Sequence, residues 1–337
     1  MKAYLLKKHG KPEVLKICEV DEPTVGEGEV KIKVKFIGMN YAELLSRRGQ
    51  YNWAPKKPYV MGMEGMGEIV EIGKGATRHK IGEKVIFGHQ TGAYAEYISV
   101  PEHMAFPALE EFSDEENAAF LVKFMTAWIS LVNMGRIKAD DVVLIHAAAG
   151  GVGSAAVQIA SKWGCKVYGT ASNPEKLELI KKLGAKKAIN YSTEDFYEVI
   201  KKSEGGVDYV LEVVGGEVFK KSVELLNPFG RLVVTGYASI PFNIWNPWSW
   251  WLTWRDAPKA PIMKMAQNSY GILASHIGYL IEKPEVVEKC WKDLTDFVRK
   301  HSLKPIISKT FAFEDLPQAH AYIESRQSYG KVLVKVS

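Results

Sequence analysis

The amino-acid sequence predicts an α/β protein in two parts, a β-rich, barrel-like domain and a doubly wound domain built on a parallel sheet. Three observations point there. Apolar and charged residues alternate with period two in the first third, strand and helix patterns take turns from about residue 140, and the tail is strand-rich again. A chain of 337 residues is long enough for two such cores, and 47% apolar with 25% charged residues is the composition of a folded protein.

The elements follow in chain order. In "GEVKIKVKFIG", Val30, Ile32, Val34 and Phe36 alternate with Lys31, Lys33 and Lys35, which makes a strand with one dry and one wet face. "MEGMGEIVEIGKGA" and "IGEKVIFG" add short apolar runs punctuated by glycine. "DDVVLIHAAAGGVG" is then a buried strand running into a glycine turn, and "SAAVQIASKWG" carries apolar residues at helical spacing. "KVYGTAS", "KAINY", "VDYVLEVVG" and "GRLVVTG" read as strands, separated by the helices "PEKLELIKKLGA", "EDFYEVIKKS" and "EVFKKSVELL". Helices of 10 to 15 residues between strands imply a parallel sheet covered on both faces. After a break of about 35 residues come an edge strand in "GILASHIGYLI", the helix "PEVVEKCWKDLTDFVRKH", and the strands "KPIISKTFAF" and "GKVLVKV".

Charge and cysteine content exclude several classes. The net charge of +5, from 44 basic and 39 acidic residues, is spread along the chain without a basic block interleaved with aromatics, so a nucleic-acid partner is not expected. Cys18, Cys165 and Cys290 form no C-x-x-C and have no close histidine, which argues against a structural zinc lobe or a disulfide framework. "MKAYLLKKHG" lacks the apolar core of a signal peptide, and no stretch reaches the roughly 18 apolar residues of a membrane span. A reducing, cytoplasmic setting is the expectation.

The strongest local signal is "VVLIHAAAGGVGSAAVQIA". Gly150, Gly151 and Gly153 permit a tight turn and close backbone approach, and a helix beginning near Val152 aims unpaired N–H groups at a diphosphate. The triplet follows a strand and opens a series of strand–helix units, which makes dinucleotide binding the expectation. At the end of the second strand, where an NAD enzyme places a carboxylate for the ribose 2′-OH, stand Thr170, Ala171 and Ser172, followed by Lys176. A 2′-phosphate is accepted at such a corner, so NADPH is the expected cofactor.

Several further motifs carry a specific resemblance: "GMNYAELLSRRGQY", "MGMEGMGEIVEIG", "AAFLVKFMTAW", "AAAGGVGSAAVQIA" and the closing "ESRQSYGKVLVKV". Nearly end to end, the chain resembles the zinc-independent quinone oxidoreductase branch of the medium-chain dehydrogenase/reductase superfamily. Through "PYVMGMEGMG" and "SHIGYL" it is most similar to the vesicle amine transport protein group. The resemblance implies a GroES-like catalytic domain built from both chain ends, 1–122 and 282–337, around a Rossmann domain over 123–281 with a Trp-rich insertion at about 240–270.

Zinc-dependent relatives carry Cys and His as metal ligands where this chain has Asn40 in "GMN" and Met63 in "GME"; the third ligand position falls near Val122. Glu64 is left as the sole nearby carboxylate, so no metal site is expected. The chemistry becomes hydride transfer assisted by hydrogen bonds, in which negative charge grows on a carbonyl oxygen. Asn40 matches the family's active-site Asn and is the first candidate donor. Tyr51 is a polar orienting group, and the adjacent Tyr41 belongs to the substrate pocket. For the cofactor the resemblance adds Thr126 near the nicotinamide end, and Tyr191, which with Ser172 and Lys176 surrounds the 2′-phosphate. It also adds Gly236 and Ala238 at the end of the fifth strand, and Arg326 and Lys331 as further charge from the tail. Glu64 matches a position with a structural role.

"WNPWSWWLTW" holds Trp245, Trp248, Trp250, Trp251 and Trp254, five of nine tryptophans. Each Trp buries ~150–250 Å², so the segment must be covered. Three readings stay open. It packs on the protein or on a second subunit, with the Rossmann edge strands paired into a homodimer. It is a lid in which Trp248 and Trp251 stack on a flat small-molecule substrate. Or it anchors the protein peripherally on a membrane, with Arg255, Lys259 and Lys264 close behind. The expected function is an NADPH-dependent, zinc-free reductase of quinones or α,β-unsaturated carbonyls. The alternative is an NADPH-binding, membrane-associated lipid-binding or transfer protein with little catalytic activity.

Overall fold

The computed structural model describes residues 1–236 and 259–337. In the first stretch the strands are β1 (Lys2–Leu6), β2 (Ile17–Glu19), β3 (Glu29–Gly38), β4 (Tyr59–Val60), β5 (Glu64–Ile72), β6 (Lys84–Gly88), β7 (Tyr97–Pro101) and β8 (Ala105–Pro107). Helix α1 (Tyr41–Arg48) leaves the end of β3, and α2 (Asp114–Ala118) and α3 (Leu121–Trp128) follow β8. Along β3 the alternation holds: Val30, Ile32 and Val34 are buried in the core while the lysines between them are not. α1 stops at Gly49, whose φ of +74° is the left-handed cap that glycine adopts without strain.

The second stretch alternates β9 (Val142–Ile145), α4 (Gly151–Trp163), β10 (Lys166–Ala171), α5 (Pro174–Lys182), β11 (Lys187–Asn190), α6 (Phe196–Glu204), β12 (Val207–Glu212), α7 (Gly216–Glu224) and β13 (Leu226–Val234). After the undescribed residues come α8 (Ile262–Asn268) and β14 (Gly271–Ala274). The sheet order is β11-β10-β9-β12-β13-β14 and every pairing is parallel. Strand order therefore reverses between β9 and β12, the place where doubly wound sheets open a crevice at their carboxyl ends. All four residues of β9 are buried, as a strand covered on both faces requires.

The tail adds α9 (Pro284–His301), β15 (Ile307–Ala312), α10 (Leu316–Glu324) and β16 (Lys331–Lys335). β16 runs parallel to β15 and antiparallel to β3, with Leu333 opposite Gly38. The sheet of the first part thus reads β15-β16-β3-β5-β6-β8, with β7 also on β3.

The described residues form two units, 1–123 with 278–293 and 304–337, and 124–277 with 294–303. The returning segment expected as one piece over 282–337 therefore divides, because 294–303, the last turns of α9 and the residues after it, group with the second unit. Tyr4, Leu6, Val30, Ile32 and Val334 centre the core of the first, and Leu144, Ile189, Val210 and Leu232 that of the second.

The edge strand read from "GILASHIGYLI" needs correction. It ends at Ala274, and 277–282 coils into a 3₁₀ turn. Gly278 lets that turn pack against Trp53, whose ring lies 2.6 Å from where a Cβ would stand. The readings placed on Ala238, Trp245, Trp248, Trp250, Trp251, Trp254 and Arg255 lie outside the described residues. Among the described residues, no helix is long and apolar enough to cross a membrane.

Candidate active site

The second unit supplies a phosphate cradle. Ala147, beyond β9, takes a left-handed φ of +47°, and its carbonyl accepts the Gly150 N–H at 2.8 Å. Gly150 is the extended residue before α4, which begins at Gly151, one residue earlier than the expected Val152. A Cβ on Gly153 would sit 2.3 Å from Ala147 O and 2.7 Å from Ala148 Cα, so only glycine lets the helix close on the strand. The first N–H groups of α4 are thereby left at the carboxyl end of β9, beside the reversal of strand order.

The neighbouring corner carries no acidic group on its strand end. β10 finishes at Ala171 with Thr170 buried, and Ser172 leads to Asn173, whose Oδ1 accepts the Lys176 N–H at 3.0 Å and caps α5. Lys176 is largely buried in the first turn, and burial draws its ammonium below the usual lysine range against the pull of Glu175. Tyr191 follows β11 and is exposed, Gly236 follows β13, and Thr126 is half-buried in α3.

Glu212 ends β12, the strand across the reversal, and is fully buried. Its Oε1 accepts the N–H groups of Val214 and Gly215, yet burial outweighs them and lifts the carboxyl to about 7. In the unfolded chain this group ionises near 4.5, whereas the fold retains its proton up to about pH 7. The stability it contributes is therefore full below 4.5 and fades as pH climbs to 7, by roughly 3 kcal/mol. Glu212→Gln keeps the amide contacts without the charge. The difference in melting temperature between variant and parent should move in the variant's favour from pH 4.5 to 7 and stay flat above; a constant difference across that range overturns the assignment.

In the first unit a buried polar cluster forms around the start of α1. Glu43 is enclosed and accepts four donors: the Asn40 N–H at 2.8 Å, the Met63 N–H at 2.9 Å, the Tyr94 O–H at 2.6 Å and, at 3.4 Å, Asn40 Nδ2. Burial pushes its carboxyl up, and the Tyr94 and Asn40 hydrogen bonds oppose it. His320 Nε2 lies 3.0 Å from the Tyr94 oxygen. Since that hydroxyl donates to Glu43, and burial keeps the imidazole neutral, His320 carries its proton on Nε2 and donates to Tyr94.

On the other side of Asn40, the Lys331 ammonium donates to Asn40 Oδ1 at 2.9 Å and pairs with Glu64 Oε1; Glu64 Oε2 accepts the Val122 N–H at 2.9 Å. Both charged side chains are 0% exposed. This corrects the placement of Lys331 among cofactor contacts: a side chain with no accessible surface, already engaged by two partners, offers nothing to a phosphate. Lys123, next to Val122, is buried too; burial first, then the charge of Lys331, holds its ammonium well below the ordinary range. Arg326 stays at the surface, in a left-handed turn at φ +59°.

Tyr51 is half-buried, and burial followed by the charge of Glu43 pushes its phenol above the ordinary range, so it is a hydrogen-bond donor and a poor proton source. Its ring meets Trp53 edge-on at 6.4 Å, and Trp53 meets Tyr279 at 6.1 Å. Tyr41 is 38% exposed beside Asn40. Sequence reasoning passed over Glu43, Tyr94, His320, Lys123, Trp53 and Tyr279. Glu43 had a signal, since Asn followed three residues later by Glu is a capping box. Tyr94 and His320 are 226 residues apart and had none.

The donors at the metal-ligand positions of zinc-dependent relatives are an amide oxygen facing a lysine, a methionine side chain, and Val122, which offers a backbone N–H. Among the described residues no three His, Cys, Asp or Glu gather. This donor set does not fit a zinc ion.

Comparison with known proteins agrees with this layout. Residues 26–110 match the alcohol dehydrogenase GroES-like domain, and residues 151–253 match the family described as zinc-binding dehydrogenase. The chain is 33% identical over 317 residues to the synaptic vesicle membrane protein VAT-1 homolog of Rattus norvegicus, covering 93% of this chain and 78% of that protein. It is 33% identical over 240 residues to the quinone oxidoreductase of Homo sapiens, 70% of this chain and 73% of the other. Among solved structures, Escherichia coli quinone oxidoreductase complexed with NADPH aligns with a TM-score of 0.89 at 27% identity, over 100% of both chains.

Proposed function

The chain belongs to the medium-chain dehydrogenase/reductase superfamily, as a relative of quinone oxidoreductases and VAT-1 homologues, and from that premise we propose that it is an NADPH-dependent reductase of quinones or α,β-unsaturated carbonyls, working without zinc. The observation that supports the chemistry best is the state of Asn40. Its oxygen is taken up by a cation, so the side chain has only N–H groups to offer a substrate oxygen.

The cofactor residues fit. Gly153 lets α4 close on the turn after β9, which sets its first N–H groups for a diphosphate, and Ser172, Lys176 and Tyr191 surround a 2′-phosphate at a corner without a strand-end carboxylate. NADPH, when bound, supplies the hydride. Asn40 Nδ2 then donates to the acceptor's carbonyl oxygen as charge develops there, and Tyr51 orients the acceptor. The proton that completes the product comes from water. Trp53 and Tyr279, clustered with Tyr51 through edge-on and tilted ring contacts, offer aromatic surface to a flat acceptor. A homodimer joined through β14, which ends its sheet, belongs to the same reading.

The test is NADPH oxidation by metal-free protein with 1,4-benzoquinone, 9,10-phenanthrenequinone, a 2-alkenal and a 2-enoyl thioester. Turnover of at least one acceptor, with little from NADH, is expected. NADPH binding with no turnover of any of them defeats the reading. In the same assay Lys176→Glu should weaken NADPH about 10- to 100-fold, the scale of one charge-assisted hydrogen bond, and leave NADH unaffected. An unchanged NADPH preference removes Lys176 from the phosphate corner.

A further inference from the structure

We propose that Lys331 and Glu64 are positioning residues, a buried ion pair that locks the Asn40 amide with its N–H groups toward the acceptor; this rests on the reading of Asn40 as the donor. An asparagine amide is nearly symmetric in shape, and a half-turn would present its oxygen to the substrate oxygen and repel it. An ammonium settles the choice, because it has donors and no acceptor. The atom 2.9 Å from Lys331 Nζ must be Oδ1. Nδ2 then faces the other way, its two hydrogens on long bonds, 3.3 Å to Gly38 O and 3.4 Å to Glu43 Oε1. The anchored end is the oxygen, and the weakly held end is the donor, one of whose long bonds an acceptor oxygen must displace.

The pair is itself immobilised. Glu64 uses one oxygen on Lys331 and the other on the Val122 N–H, and neither side chain has accessible surface. Gly38 makes the room: a Cβ there would lie 2.7 Å from Lys331 Cε, 3.0 Å from Glu64 Cγ and 2.5 Å from the carbonyl of Ala118. Stability alone gives little reason for such a pair, since apolar side chains of similar size hold a core as well or better. Aiming an amide is a task that apolar side chains cannot perform. The cation also stands among the positions that ligate metal in zinc-dependent relatives, where it polarises the amide that does their work here.

The deciding variant is Glu64→Met with Lys331→Met, which removes both buried charges together. In this double variant NADPH affinity by fluorescence titration and KM for the acceptor should stay as in the parent. Its kcat should fall about 10- to 100-fold, the usual effect of removing a supporting partner. Adding Asn40→Ala should then take kcat no lower than Asn40→Ala does alone, because the two changes remove the same interaction. If the paired variant does not fold, Gly38→Ala serves in its place; it keeps both charges but pushes on Lys331, Glu64 and the Ala118 carbonyl, so a melting curve and unchanged NADPH affinity must accompany the fall in kcat. Unchanged kcat in the charge-free or Gly38→Ala protein, or losses that multiply with Asn40→Ala, overturn the positioning role. Unchanged kcat in Asn40→Ala alone overturns the donor reading beneath it.

Discussion

Asn40→Ala should lower kcat about 10²- to 10³-fold, the loss seen when one donor to a developing oxyanion is removed, equivalent to roughly 2.7–4 kcal/mol. NADPH binding should be untouched, because Gly153, Ser172, Lys176 and Tyr191, proposed to hold the cofactor, lie in the second unit. The helix should survive as well: the N–H that Glu43 accepts is backbone, and alanine retains it. Asn40→Asp sharpens the experiment. Aspartate can still accept from Lys331, but it has no N–H to offer an acceptor, so its kcat should be at least as low. Steady-state kinetics beside a melting curve separates loss of chemistry from loss of fold. Robust turnover by Asn40→Asp means that the acceptor oxygen is stabilised by another group.

Gly153→Ala should weaken NADPH about 10- to 100-fold, and Gly150→Ala far less. The contrast comes from what each new methyl would meet. At Gly153 it would find three backbone atoms, Ala147 O, Ala148 Cα and Ala148 C, at 2.3, 2.7 and 2.9 Å. None can swing aside as a side-chain tip does. Relief requires α4 to move off β9, and overpacking of this kind costs about 1–3 kcal/mol, displacing the N–H groups that meet the phosphates. At Gly150 the closest approach is 3.1 Å, to one carbonyl, and the backbone angles suit alanine. Titration of NADPH fluorescence ranks the two; equal effects would mean that the close packing of α4 on the turn after β9 does not set the diphosphate site.

What could be read in the sequence was what short stretches encode. Val30, Ile32 and Val34 declare their strand because side-chain direction alternates with every residue. The glycines of the cradle declare theirs because a turn and a close approach tolerate little else. "GILASHIGYLI" misled because a short apolar run does not show where a strand stops, and there a tryptophan packed against Gly278 marks the coil that follows. Lys331 was the harder case. A lysine near the end of a basic chain has every appearance of a surface charge, and only the pairing of β16 with β3 carries it into the interior beside Glu64 and Asn40. Tyr94 and His320 were hidden for the same reason, since their meeting is a product of topology.

The contact between Lys331 and Asn40 spans 291 residues, and it ties the site to the order in which a ribosome delivers the chain. β3, α1 and the whole doubly wound unit emerge before β16 is made. During that interval the cradle around Gly153 can assemble while the asparagine amide still turns freely. If Lys331 aims Asn40 as proposed, the strand whose pairing with β3 completes the first sheet is also the last part of the site to be set.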